Sequence, residues 1–127
     1  MRIALDTNRY VDLCRNFQPT VKLVDHAREV CLPFIVVGEL RAGFAKGSRE
    51  LENEGILRRF LFKPNVRVVF ADDQTTIHYA AVYRQLRQQG TFIPTNDMWI
   101  AAIVLQHNFE LHARDAHFDH LPQLLRV

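Results

Sequence analysis

Short apolar runs and helical stretches alternate along this chain, and that alternation restricts the kind of sheet it can build. Ile3-Ala4-Leu5 reads as a strand, ended by the turn-forming trio Asp6-Thr7-Asn8 and a loop. Pro19 to about Glu29 carries Val21, Leu23, Val24 and Ala27 at helical spacing. Glu29–Leu32 predicts a second strand stopped by Pro33, a residue that can open a helix over Phe34–Phe44. Arg49–Lys63 predicts another helix, with Leu51, Ile56, Leu57, Phe60 and Leu61 marking its buried face. Val66–Phe70 is the clearest β segment. Asp72-Asp73 begins a long helix to about Gln89, closed by Gly90. Thr95 or Asn96 is expected to cap a helix to about Asn108, with a strand at Glu110–Ala113 and a candidate fifth at Leu124–Val127.

Strands joined through helices pair in parallel, because a tight hairpin cannot return the chain in the same direction. The expected fold is a three-layer α/β/α sandwich around a central parallel sheet of four or five strands. No repeat, low-complexity tract or linker interrupts the pattern, so residues 1–127 are expected to form a single domain.

Composition excludes more than it selects. Sixteen basic residues against fourteen acidic leave a formal charge of +2, too balanced to argue nucleic-acid binding by itself. Cys14 and Cys31 form no CxxC knuckle and read as buried free thiols of a reducing compartment. No run approaches membrane-spanning length, and Arg2–Asp6 reads as strand rather than signal peptide. A cytoplasmic protein without membrane attachment is expected.

The acids are where chemistry concentrates. In parallel α/β folds, sites form at the carboxyl edge of the sheet, where strands end and helices begin. Asp6 follows the first strand, Glu39 lies in the second turn of the helix after the second, Asp97 opens the helix before the fourth, and Asp115 follows it. Singly, Asp6 reads as a turn residue and Asp97 as a helix-start charge. Together, four carboxylates on one edge repel and require protons or cations. Oxygen donors without cysteine suit Mg²⁺ or Mn²⁺ rather than zinc, and such a site is fitted to phosphodiester chemistry.

Ile3-Ala4-Leu5-Asp6-Thr7-Asn8, Glu39-Leu40-Arg41-Ala42-Gly43, Thr95-Asn96-Asp97-Met98-Trp99-Ile100-Ala101-Ala102 and Arg114-Asp115-Ala116-His117-Phe118 occur in that order. These blocks resemble a PIN domain, and more narrowly the VapC toxins of toxin–antitoxin pairs, across essentially the whole chain. The resemblance implies a Mg²⁺- or Mn²⁺-dependent endoribonuclease, commonly a homodimer and inhibited by a small cognate antitoxin. It carries the family's acids onto Asp6, Glu39, Asp97 and Asp115, as catalytic residues and metal ligands, and gives Asn8 a water-orienting role. Val36-Val37-Gly38 departs from the family's frequent Ser or Thr in that helix. Asp119 stands as an alternative fourth acid, and His117 as a neighbour of the site.

Other patterns have simpler readings. Asp72-Asp73 suggests either a receiver-like Mg²⁺ and phosphoryl pocket or a helix cap, and the cap is favoured. His112, His117 and His120 are dense but match no compact zinc spacing. Walker and GxGxxG loops are absent, and Ser48 lacks a nucleophile-elbow context. Arg41, Lys46, Arg49, Arg58, Arg59 and Lys63 are candidates for tracking an RNA backbone, and Phe44, Phe60 and Phe62 for a partner-helix groove. A non-toxin PIN or flap-type nuclease and a non-enzymatic receiver-like switch are the alternative functions.

Overall fold

The computed structural model describes residues 1–127. Four strands, β1 (Arg2–Leu5), β2 (Glu29–Pro33), β3 (Val66–Val69) and β4 (Glu110–His112), form one sheet in the order β3-β2-β1-β4. Every pairing is parallel, with Ile3 opposite Val30, Leu32 opposite Val68 and Ala4 opposite Leu111. Six helices flank it: α1 (Thr7–Cys14), α2 (Gln18–His26), α3 (Phe34–Lys46), α4 (Glu50–Leu61), α5 (Asp73–Gln89) and α6 (Thr95–His107). This is the expected three-layer sandwich.

A parallel sheet covered on both faces needs apolar residues on both sides of each strand, which explains the unbroken runs. Ile3, Ala4 and Leu5 of β1 and Val30, Cys31 and Leu32 of β2 have no solvent exposure. Ile100, Ala101, Ala102, Ile103 and Val104 make α6 apolar almost all round, as a buried helix must be. Each large aliphatic side chain buried this way contributes roughly 1.5–3 kcal/mol.

The strand order creates a switch point. From β1 the chain first builds outward through β2 to β3, then crosses back through α5 and α6 to place β4 on the other side of β1. The carboxyl ends of β1 and β4 therefore open onto one crevice.

Four local expectations need correction. Asp6-Thr7-Asn8 is no loop: Asp6 Oδ1 accepts from the Arg9 amide at 2.8 Å and starts α1 directly. The side chain that makes a turn and the one that caps a helix use the same hydrogen bond. Neither Thr95 nor Asn96 caps α6; Pro94 occupies that position without a side-chain cap, and both residues are already helical. Leu124–Val127 contributes a single parallel bridge, Leu111 to Arg126, rather than a full fifth strand. Finally, of the two free thiols expected to be buried, Cys31 is buried and Cys14 is exposed. Ala116–His120 forms a 3₁₀ helix after β4, anchored by the buried Phe118.

Asp72 caps α5 through a reciprocal pair with Thr75, and its carboxylate also accepts from Gln106 at 2.8 Å. Gly90, at φ +72°, closes the same helix in a left-handed conformation that glycine adopts without strain.

Candidate metal centre

Each acid on the crevice is positioned by a different element. Asp6 sits where β1 becomes α1, and its cap bond to the Arg9 amide fixes the side chain. It is 5% exposed, and burial pushes its carboxyl above the ordinary carboxylate range. The amides of Arg9 and Arg114 and the Arg9 charge oppose that rise, while the nearby Asp97 charge adds to it. Glu39, in the second turn of α3, has both oxygens engaged. Thr7 donates its hydroxyl to Oε1 at 2.7 Å, and Asn96 approaches Oε2 at 3.5 Å.

Asp97, in the first turn of α6, is half-buried. Burial raises its carboxyl, the charges of Asp115 and Glu39 raise it further, and His117 opposes them. Asp115 starts the 3₁₀ helix by accepting from the His117 amide at 2.9 Å. The His117 ring then turns back, placing Nδ1 2.9 Å from Asp97 Oδ2 and 3.0 Å from Asp115 Oδ1. Donor atoms of Asp97, Asp115 and His117 all lie within 4.8 Å of one another.

Arginines pair with several acids outside this set. Asp12 pairs with Arg9 and Arg114, Glu29 with Arg2 and Arg67, Glu54 with Arg41 and Arg58, and Asp119 with Arg126. Asp6, Glu39, Asp97 and Asp115 have no lysine or arginine within ion-pair distance, and His117 is the one basic side chain in contact with Asp97 and Asp115. Four converging carboxylates with so little positive charge beside them are electrostatically incomplete. Hard oxygen donors beside one imidazole fit a divalent cation.

A sequence model of the PIN domain family matches residues 3–124. A protein named Ribonuclease VapC1 from Haemophilus influenzae strain R2866 is 32% identical over 116 residues, across 82% of this chain and 84% of that protein. The chain belongs to the PIN-domain family, in its VapC branch. A Ribonuclease VapC1 from Methanocaldococcus jannaschii is 30% identical over 81 residues; that match takes in 63% of this chain and 58% of the relative's length. The fold is shared with the VapBC-1 structure from nontypeable Haemophilus influenzae, with a TM-score of 0.87 at 24% identity over 100% of this chain and 97% of that one. FitAcB from Neisseria gonorrhoeae superposes with a TM-score of 0.80 at 26% identity, covering 98% and 96% of the two chains.

Several residues of this PIN domain behave otherwise than their sequence context suggests. Asn8 is exposed and makes no side-chain hydrogen bond; the neighbouring Thr7 is the residue that holds an acid. Asp119 is bonded instead to Arg126 at 2.9 Å, so Asp115 is the acid that this segment places beside Asp97 and His117. His112 is buried between the Thr20 hydroxyl and the Val127 carbonyl, 2.9 Å from each, and stands apart from His117. Arg41 and Arg58 both turn onto Glu54, which withdraws them from the basic set. Thr7 and Asn96 carried a usable signal, since each adjoins an acid, but nothing local says that both serve Glu39.

Proposed function

We propose that this PIN domain, as a single unit of residues 1–127, is a divalent-metal-dependent endoribonuclease and the toxin of a VapBC-type toxin–antitoxin pair. It hydrolyses RNA phosphodiester bonds in the cytoplasm, leaving a 5′-phosphate and a 3′-hydroxyl. The observation that carries this reading is the convergence of four acids on one crevice, none of them in an ion pair with lysine or arginine. The names of the VapC1 relatives support the ribonuclease part.

Asp6, Glu39, Asp97 and Asp115 are the proposed holders of Mg²⁺ or Mn²⁺ and the catalytic acids. A cation, when bound, supplies positive charge for the scissile phosphate and acidifies water. The protein's own part is to fix the ligands before substrate arrives. The cap bond holds Asp6, Thr7 and Asn96 hold Glu39, and the His117 amide holds Asp115. Partial burial of Asp6 and Asp97 strengthens every charge interaction in the crevice.

A small antitoxin is the proposed inhibitor, as the solved VapBC complexes suggest. The apolar cleft of about 260 Å³ among Tyr10, Val11, Cys14, Leu40, Phe44 and Ile56 suits one of its helices. A second copy of the chain is the proposed cover for the exposed Ile77, Tyr83 and Phe92 on and beside α5. No helix is long and apolar enough to cross a membrane.

The deciding experiment maps RNA ends after brief expression of wild type and Asp97→Asn. New 5′-phosphate ends in the wild type alone support the reading. Identical end profiles in the two strains reject it.

A further inference from the structure

His117 is the one imidazole in the crevice, and its position is unusual for a simple hydrogen-bond partner. A neutral imidazole carries one N–H, yet Nδ1 faces two carboxylate oxygens at nearly equal range, 2.9 Å to Asp97 and 3.0 Å to Asp115. One proton on Nδ1 serves one of these oxygens well or both poorly. No protein group is bonded to the other ring nitrogen, Nε2, and the side chain is 42% exposed, so Nε2 can keep the proton toward water.

The spacing has a second meaning. Around a small octahedral cation with ligands at ~2.1 Å, adjacent donors stand roughly 3.0 Å apart. Both Nδ1–oxygen distances match that edge. The placement is also built in: Phe118, 1% exposed, anchors the 3₁₀ helix, and Asp115 caps it through the His117 amide.

We propose that His117 Nδ1 is a metal ligand beside Asp97 and Asp115, and that this nitrogen makes the site prefer Mn²⁺ over Mg²⁺. Imidazole binds first-row transition cations, whereas Mg²⁺ holds to oxygen donors and water. The inference rests on the metal-site reading above and narrows the identity of its ion.

The test uses the full-length protein and the metals alone. Electron spin-echo spectroscopy of the Mn²⁺-loaded wild type should show coupling to a directly bound ¹⁴N. That coupling should vanish in His117→Ala and in His117→Asp, the latter keeping an oxygen donor in place. Calorimetric titration should show the Mn²⁺/Mg²⁺ affinity ratio falling at least about ten-fold in both, the scale on which even outer-shell partners act. Mn²⁺ bound by the wild type without ¹⁴N coupling, or with coupling that survives in both variants, removes His117 as ligand and leaves the acidic site standing. A wild type that binds no Mn²⁺, or binds it indifferently to Asp97→Asn, removes the underlying metal site as well.

Discussion

Thr7 donates its hydroxyl to Glu39 at 2.7 Å, tying the first turn of α1 to the second turn of α3. A residue beside one crevice acid thereby orients another 32 positions away. Thr7→Val should leave Glu39 loosely held and lower kcat/KM on RNA about 10–100-fold, with Thr7→Ser near wild type. The fold should lose only about 0.5–1.5 kcal/mol, the net worth of one hydrogen bond. Parallel cleavage assays and urea melts check both halves; an unchanged rate in Thr7→Val assigns the bond to stability alone.

Asp6→Asn separates the two duties of that residue. Asparagine caps a helix as well as aspartate, so α1 should persist and the metal-free protein should be no less stable. Cleavage should nevertheless fall more than about 100-fold, beyond the range of outer-shell losses. Circular dichroism and a Mn²⁺-supported assay on the same sample measure the split.

His112 predicts how stability follows pH. Burial lowers its pKa in the folded protein, so the unfolded chain binds more protons at and below the ordinary histidine value of about 6.5. Stability should therefore hold above that pH and decline as acid is added through it, toward the lowered folded value. His107, lowered mainly by burial too, adds the same sign. Urea midpoints from about pH 8 to 5, in chelator, should fall less steeply for His112→Gln than for wild type.

Asp72 separates the cap from the receiver reading. Its bonds to Thr75 and Gln106 make it a cap that also ties α5 to α6. Asp72→Ala should lower Tm by roughly 3 °C and leave RNA cleavage unchanged. Covalent labelling of Asp72 by a small phosphodonor would contradict this assignment.

Phe92, 88% exposed beside α6, reports on the proposed second copy. Phe92→Glu should shift the mass seen by light scattering from dimer to monomer while the far-ultraviolet spectrum stays the same. A monomeric wild type at micromolar concentration would leave this face without its proposed partner.

Much was legible along the chain because periodicity is local. Alternating apolar strands and amphipathic helices dictated a parallel three-layer sheet, and the capping pattern at Asp72 was readable from its neighbours. The placement of Asp6, Glu39, Asp97 and Asp115 on one edge followed from their positions at strand ends and helix starts. α1 escaped because a strand end, a turn trio and a helix cap share the same residues, with too short a run after them to reveal a period.

Partner choice was decided only in three dimensions. His117 reaches Asp97 across 20 residues and Asn96 reaches Glu39 across 57, whereas Asp119 is drawn to Arg126 and His112 to Thr20. Hydrogen bonds and desolvation depend on which groups meet after the sheet closes, and no local pattern encodes that. The sequence by itself determined that Asp6, Glu39 and Asp97 arrive at the crevice and left the fourth acid open between Asp115 and Asp119. The tertiary structure decided that they arrive outside any arginine ion pair, because only packing settles which arginine each carboxylate can reach.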